Sequence, residues 1–374
     1  MRIIKRSEIS NFHDCGKYTS QSFPGIAVTP SGRIIASWRS AIRKEEVVDQ
    51  RILCSFSDDG GSSWSSPKAF FTPPVLNGKN GVFRMGAPTA FNGRIYMHLT
   101  WVDASKPERP FFNEENSGLL DCKNFLSVSE DDGATWSEVQ QLETEPFEEL
   151  STPITGPVQF FSDGEMFSQF ELNKPFDSDD VWRHLPVLNF SLDQGKTFYC
   201  HSIPAQDPEN DIFYWDQRPL ILKNDSIVAF FWTWDNRLNN YHNISMTYSD
   251  DRGENWTLPH DTGIPGQAGQ PVEFDDGSLL LPVVDRTGKP KITARLSRDF
   301  GKTFTDEVLE VSEPLNHKQV SEQNTLSGAW SEMTNFSLGL PFGTKSDHNT
   351  AYIVWYHGAE TDFTNIEFAE IALT

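Results

Sequence analysis

The densest group of potentially reactive side chains lies at residues 214–219, which read Tyr-Trp-Asp-Gln-Arg-Pro. Residues two apart on a β-strand point to the same side, so the Asp216 carboxylate and the Arg218 guanidinium should share one face. A guanidinium group can make two parallel bonds to a carboxylate. We therefore predict that Arg218 binds an anionic group and that Asp216 acts as an acid or base beside it. The alternative is that the two side chains pair with each other or with neighbouring turns.

Further arginines and carboxylates occur near the ends of other predicted strands. Arginines from different strands could converge on one anionic sugar, and an aromatic ring offers a platform for the C–H face of a sugar. Trp234, next to Asp235, fits this description, although packing inside a sheet is the alternative. The remaining candidates for substrate binding are Arg39, Arg84, Arg286, Gln270, Trp330 and Glu332, and the remaining candidate catalytic acids are Asp285 and Asp49.

A repeated turn motif should position these groups. The pattern Ser-x-Asp-x-Gly-x-(Thr/Ser/Asn)-(Trp/Phe) occurs five times, with its aspartates at Asp59, Asp131, Asp193, Asp251 and Asp299. The aspartate can accept backbone N–H bonds across a tight turn, and the glycine allows a positive φ. Strand-like residues precede each copy, so each copy reads as the turn of a β-hairpin. The spacing of the copies leaves room for one four-stranded sheet per repeat.

These turns are Asp-boxes, and through them the chain resembles the sialidase superfamily over nearly its whole length. The resemblance implies an all-β protein that forms a single six-bladed β-propeller over residues 1–374. It also implies that the boxes lie on the propeller rim, away from the active site, so we interpret their five aspartates as structural. A strand at residues 2–9 has no box, and we expect it to become the outer strand of blade 6 and to cover a free sheet edge.

The resemblance also implies a set of catalytic groups, and this chain departs from it. Sialidases carry an Arg before the Ile-Pro of the first blade, bind the sialate carboxylate with three arginines, and use a Tyr nucleophile assisted by a Glu. Here Ser22-Phe23-Pro24 occupies the first motif, and Trp330 stands where the Tyr is expected. Arg39 matches a second family arginine, and the family's acid/base Asp in a blade 1 loop could be represented by Asp49, Glu45 or Glu46.

The function that we expect is that of a sialidase-like glycoside hydrolase acting on an acidic or decorated glycan, without the usual Tyr nucleophile. Hydrolysis would then need one carboxyl group as the acid and another as the base that activates water. The pair that we predict is Asp216 with either Asp235 or Asp285, and Arg39 and Arg218 would bind the substrate carboxylate.

Two alternatives remain open. A lyase acting on uronic-acid glycans would neutralise the uronate with arginine and would take its base from His98, His357 or Tyr356. A non-catalytic glycan-binding propeller is the other alternative, because the family nucleophile and one family arginine are missing.

The composition limits the other partners. The formal charge is −22, from 53 acidic and 31 basic residues, and a field of that sign repels nucleic acid. The four cysteines show no metal-binding spacing, so we expect neither a metal nor a cofactor. The N-terminus lacks the apolar region of a secretory signal, and no apolar run is long enough to span a membrane. We therefore expect a cytoplasmic protein, or a secreted or periplasmic one if a signal segment precedes this sequence. We expect it to be a monomer or a weak oligomer, with a carbohydrate as its partner.

Overall fold

The computed structural model describes residues 1–316 and 325–374. Within these ranges the strands form six antiparallel sheets that follow one another along the chain, and one separate two-stranded hairpin. Innermost strands of successive sheets contact each other, as in blades 1 and 2, 4 and 5, and 5 and 6, and blade 1 also contacts blade 6. The sheets therefore close into a ring, which confirms the six-bladed β-propeller.

The strands of each blade are given from the axis outwards. Blade 1 contains Ser20–Val28, Ile34–Ala41, Gln50–Ser57 and Lys68–Ala69; blade 2 contains Gly81–Phe91, Arg94–Asp103, Cys122–Ser129 and Gln140–Gln141; blade 3 contains Gln159–Phe160, Met166–Glu171, Pro186–Ser191 and Cys200–Ser202. Blade 4 contains Ile212–Ile221, Ile227–Asp235, Ser245–Ser249 and His260–Asp261, and the short strand Asn240–Tyr241 also pairs with its second strand. Blade 5 contains Gln267–Ala268 with Val272–Glu273, then Leu279–Asp285, Lys291–Ser297 and Val308–Glu310; blade 6 contains Leu338–Lys345, Thr350–Glu360, Phe363–Ala372 and the N-terminal Arg2–Ser10.

A few elements lie outside the blades. The separate hairpin pairs Phe112–Asn113 with Gly118–Leu119. One α-helix, Leu326–Glu332, begins after the Thr325 side chain accepts a hydrogen bond from the Gly328 N–H, and a 3-10 turn, Met333–Asn335, continues it. A second 3-10 turn is Phe12–Asp14. Trp330 and Glu332, which the sequence predicted near the end of a strand, belong instead to this helix.

The N-terminal strand closes the ring as predicted. Arg2–Ser10 pairs antiparallel with Phe363–Ala372, with Arg2 opposite Ala372 and Ser10 opposite Ile366. The two ends of the chain thus share the last blade, and the outer edge of its third strand is covered.

The Asp-boxes form tight turns after the third strand of blades 1 to 5. In blade 4 the Asp251 carboxylate accepts the Asn255 N–H at 2.8 Å, and the Ser249 hydroxyl accepts the Gly253 N–H at 2.7 Å. Gly253 has a φ of +89°, and an added β-carbon would lie 3.0 Å from Phe190 of the preceding blade. Hydrogen bonds of this kind hold the pKa of Asp193, in blade 3, at about 2. The boxes therefore join neighbouring blades and serve a structural role.

A pair of glycine substitutions can separate the two constraints on a box glycine. Gly301 and Gly277 have φ values of +85° and +81°, but only Gly301 is crowded, since an added β-carbon would lie 2.6 Å from Phe230. We expect Gly277→Ala to cost about 1 kcal/mol through its backbone conformation. We expect Gly301→Ala to cost roughly 2 kcal/mol more, because it also overpacks the contact between blades. Urea unfolding of both variants measures the difference, and equal losses would show that the contact contributes nothing.

Candidate active site

A cavity of about 450 Å³ lies on the propeller axis, and every blade contributes to its wall. Its cationic lining residues are Lys44, Arg84, Arg218 and Arg286, and its acidic lining residues are Glu45, Glu114, Glu171 and Asp216. The aromatic lining residues are Phe23, Phe111, Phe112, Trp232, Trp330, Phe336 and Tyr356. The cavity therefore combines convergent charges with an apolar, aromatic wall, which is the usual composition of a small-molecule site.

Seven of the candidate site residues named from the sequence meet in this cavity: Asp216, Arg218, Arg84, Arg286, Trp330, Glu45 and Tyr356. Sequence reasoning gave no role in binding to Lys44 or Glu171, which also line it. A lysine and a glutamate are ordinary in a chain of this composition, so only their positions at a strand end or in the blade 1 loop could have suggested them.

Asp216 is oriented by a β-bulge. The pairing of the innermost strand of blade 4 with its neighbour shifts between Trp215 and Arg218, and Asp216 adopts a φ of +52°. A bulge of this kind redirects a side chain out of the regular alternation. The same irregularity occurs at Phe23 in blade 1 and Leu340 in blade 6, with φ values of +53° and +45°, and both residues also line the cavity.

Asp216 belongs to a chain of polar contacts that crosses two blades. Its Oδ1 lies 3.5 Å from Nη2 of Arg218, and its Oδ2 accepts a short hydrogen bond from the Gln267 amide. Gln267 in turn accepts a hydrogen bond from Nη1 of Arg286 at 2.8 Å. Arg218 also donates to the carbonyl oxygen of Thr155 at 2.7 Å. Asp216 and Arg218 thus pair with each other, as the alternative interpretation proposed, and both still line the cavity.

Arg84 and Arg286 have no carboxylate within 4 Å among residues 1–316 and 325–374. Arg84 lies over the rings of Phe23 and Phe111, at 5.6 and 4.1 Å, and donates one long hydrogen bond, of 3.4 Å, to a backbone carbonyl. Burial lowers the pKa of Arg84 to about 10, so the side chain remains charged at neutral pH.

Arg286 packs in the same manner on a different pair of rings. Its guanidinium lies 4.0 Å from the Phe336 ring and 5.7 Å from the Trp232 ring, and Nη2 donates to the Leu338 carbonyl oxygen at 3.3 Å. Burial lowers the pKa of Arg286. A β-carbon added to Gly339 would lie 3.1 Å from Nη2 of Arg286 and 2.9 Å from the Tyr356 hydroxyl, so the two groups border the same small space.

Lys44 reaches from the blade 1 loop into blade 6. Its ammonium group donates to the carbonyl oxygens of Met333, at 2.8 Å, and Phe336, and it lies 3.3 Å from the Tyr356 hydroxyl. Burial, and then repulsion from Arg286 and other arginines, lowers the pKa of Lys44 well below its usual value. Lys44 therefore fixes the start of the loop whose next residue, the exposed Glu45, lines the cavity mouth.

Glu171 is the second carboxylate held beside Asp216. Its Oε1 accepts the backbone N–H of Gln217 at 3.1 Å, and its Oε2 lies 3.1 Å from Nε2 of the buried His184. Glu171 is therefore held between the backbone of blade 4 and a buried histidine.

The hairpin at residues 112–119 and the α-helix cover one side of the cavity. The Phe112 and Trp330 rings stack at 4.8 Å with an angle of 11° between them. The Ser331 hydroxyl donates to Glu114 Oε1 at 2.5 Å, and the Ser327 hydroxyl donates to the Glu114 carbonyl oxygen at 2.8 Å. Trp330 thus reaches the cavity from a helix that lies over its mouth.

The other predicted binding residues lie outside the cavity wall. Arg39 is completely buried, and it donates to the Glu46 carbonyl oxygen at 2.6 Å and to the Gln50 side chain, so it holds the blade 1 loop together. Trp234 is buried and stacks on Trp215, with centroids 6.0 Å apart. Gln270 lines a different cavity at the opposite end of the axis and donates to the Pro219 carbonyl oxygen at 2.8 Å. Glu332 is buried in the helix.

Three of the predicted catalytic acids have local partners instead. Asp235 accepts the N–H groups of Arg237 and Leu238, both at 2.9 Å, and Asp285 accepts the N–H of Thr287 at 3.0 Å, because each aspartate ends a strand and caps the turn that follows. Asp49 is exposed and binds Lys17 and Tyr18 at 2.5 and 2.7 Å, and the hydrogen bond from Lys17 lowers its pKa. None of the three lines the cavity.

Of the three residues that could act as the base of a lyase, only Tyr356 lines the cavity. His98 is buried in blade 2, where Nδ1 lies 2.9 Å from the Gly156 carbonyl oxygen, and burial lowers its pKa to about 4. His357 is also absent from the cavity wall, whereas Tyr356 lines it.

Over the described residues no group of three His, Cys, Asp or Glu side chains is arranged to bind a metal ion. No helix there is long and apolar enough to cross a membrane.

With its fold and cavity described, the chain can be compared with known proteins. The family model for the BNR repeat-like domain matches residues 32–321, and the chain belongs to this family. A search of curated protein sequences finds no match. The fold is that of the sialidase-type β-propellers.

Several solved structures share this fold at low sequence identity. A protein of unknown function from Dyadobacter fermentans is 16% identical, with a TM-score of 0.78 and coverage of 100% of this chain and 99% of that one. The Hadza microbial sialidase Hz136 is 17% identical, with a TM-score of 0.68 and coverage of 98% and 68%. The intramolecular trans-sialidase from Ruminococcus gnavus, in complex with oseltamivir carboxylate, is 11% identical, with a TM-score of 0.67 and coverage of 98% and 97%. Identities this low show the shared fold alone.

The placement of Asp235 and Asp285 predicts effects on stability. Asp235→Ala removes a buried carboxylate that accepts two N–H groups of the following turn, so we expect a loss of about 1–2 kcal/mol in the free energy of unfolding. Asp285→Ala, in a more exposed turn, should cost less. Urea unfolding measures both. A fully stable Asp235→Ala variant that had lost sugar binding or turnover would instead support a direct role for Asp235.

Proposed function

We propose that this protein is a glycoside hydrolase that acts on an acidic sugar in the axial cavity. The observation that carries the proposal is the presence of Arg84 and Arg286 in one cavity, without a carboxylate partner in the described part of the chain. An arginine held on aromatic rings keeps its N–H edge free for planar bonds to an anion. A buried charge without a counter-charge costs free energy, and an anionic ligand would offset that cost.

The position of Arg286 suits the carboxylate of the sugar. Its guanidinium borders the space beside Gly339 together with the Tyr356 hydroxyl, which can donate a second hydrogen bond. The rings of Trp330 and Phe112 lie on the cavity wall, where they can pack against the C–H face of the sugar. The ligand would thus be bound at its acidic group and at its ring.

Two carboxyl groups that come from opposite blades of the propeller are available for hydrolysis. Glu45 comes from blade 1 and Asp216 from blade 4, and these blades face each other in a ring of six. Glu45 donates its proton to the oxygen of the leaving group as the glycosidic C–O bond breaks. Asp216 takes a proton from the water whose oxygen bonds to the anomeric carbon. Asp216 thus keeps its predicted role, and Glu45 takes the place that we gave to Asp235 or Asp285.

Elimination is the second candidate, and Tyr356 is the observation that favours it. Its hydroxyl lies beside Arg286 and Lys44, where it could remove a proton from a uronate whose carboxylate is neutralised by arginine. Burial raises the pKa of Tyr356, which opposes this role, so we place elimination second.

Turnover of a panel of 4-nitrophenyl glycosides tests the proposal. We expect cleavage of glucuronide, galacturonide or N-acetylneuraminide but not of glucoside. Glu45→Gln and Asp216→Asn should lower kcat about 10²–10⁴-fold, because each removes a proton-transfer group. Arg286→Gln should mainly raise KM.

Asp49→Asn is the matched control, since Asp49 is an exposed carboxylate outside the cavity, and it should leave both constants unchanged. An ultraviolet-absorbing unsaturated product would support elimination. Binding of the acidic sugars without turnover would support a binding protein, and failure to bind any of them would overturn the proposal.

A further inference from the structure

We propose that the natural ligand carries two negative charges, one recognised on each side of the cavity. The inference rests on the proposed function, since it concerns the same cavity. It adds that a second acidic group, such as a carboxylate, sulfate or phosphate, accompanies the carboxylate of the sugar.

The first reason is the position of the two arginines that have no carboxylate partner. Arg84 comes from blade 2 and Arg286 from blade 5, and these blades face each other across the axis. The two guanidinium groups also lie over different aromatic rings, Phe23 and Phe111 for Arg84, and Trp232 and Phe336 for Arg286. A ligand with an anionic group at each end can bind both arginines.

The second reason is the balance of charge inside the cavity. Asp216 lies 3.5 Å from Arg218, so these two lining charges are paired. The lining carboxylates Glu45 and Glu114 are exposed. Among residues 1–316 and 325–374, no carboxylate lies within 4 Å of the charged groups of Lys44, Arg84 or Arg286, although the whole chain carries a charge of −22.

Lys44 lies close enough to these arginines to be affected by their charge. It is 5% exposed, and repulsion from Arg286, Arg84 and Arg39 adds to burial in lowering its pKa. Its ammonium hydrogens point to two backbone carbonyls and the Tyr356 hydroxyl, none of which is charged. Anionic groups bound to the arginines on both sides would reduce the repulsion that Lys44 experiences.

The size of the cavity limits the ligand further. A volume of about 450 Å³ accommodates a monosaccharide with its substituents, and the stacked Phe112 and Trp330 rings close one side. The chemical class is therefore a sugar unit that bears two acidic groups, rather than a long polyanionic chain.

A series of six-carbon ligands that differ in charge tests the proposal. Sorbitol, gluconate and glucarate carry zero, one and two carboxylates on the same flexible chain, and isothermal titration calorimetry at neutral pH gives their Kd values. We expect glucarate to bind at least tenfold more tightly than gluconate. A site that recognises only one carboxylate would favour glucarate by about twofold, because glucarate can present either of its two carboxylates. Gluconate should in turn bind more tightly than sorbitol.

Variants of Arg84 show whether the second charge is recognised where we place it. Arg84→Gln should reduce the advantage of glucarate over gluconate to about twofold. Arg84→Lys keeps the charge and should retain most of the advantage, and thermal unfolding of both variants establishes that they are folded.

The possible outcomes separate this inference from the proposed function. If gluconate and glucarate bind equally and both bind better than sorbitol, the anion-binding cavity stands and the second charge is refuted. If an advantage of glucarate survives Arg84→Gln, the place assigned to the second charge is wrong. If neither acid binds better than sorbitol, both the inference and the proposed function fail.

Discussion

Closure of the ring is the constraint on which the rest of this structure depends. The N-terminal strand, Arg2–Ser10, pairs with Phe363–Ala372, so residues from the two ends of the chain form one sheet. The Asp-box turns then join neighbouring blades at the rim, where four of the five box glycines lie against an aromatic ring of the blade before them and Gly195 lies against leucines. Because the sheets surround a common axis, residues far apart in sequence, such as Arg84 and Arg286, line the same cavity.

The cavity combines two features that oppose each other in a folded protein. Seven aromatic side chains line its wall and favour apolar contacts, yet the wall also contains four cationic side chains. Arg218 is offset by Asp216, whereas Arg84 and Arg286 lie on ring faces and keep N–H groups available. Cation–π contacts stabilise a guanidinium without neutralising it, so these two side chains remain able to bind an anion.

Aspartates at strand ends have two different roles in this structure: some cap turns, and one lines the cavity. Aspartates at the ends of second strands, such as Asp235 and Asp285, are bound by the turns that follow them. Asp216 differs because a β-bulge with a φ of +52° turns it towards the cavity. Sequence patterns identify both kinds of aspartate as strand-associated acids and do not separate them, because the bulge depends on how two strands pair.

The sequence by itself determined the architecture. Five Asp-boxes at blade-sized intervals and an N-terminal strand without a box predicted six blades and their closure, since these signals are local or repeat along the chain. It also indicated Asp216, Arg218, Arg84 and Arg286, which stand near the ends of strands. Only the tertiary structure decided that Arg39 holds a loop, that Trp330 lies on a helix, and that Lys44, Glu45 and Tyr356 join the cavity. Those outcomes depend on contacts between blades and on the direction of individual side chains, which residue type and spacing do not specify.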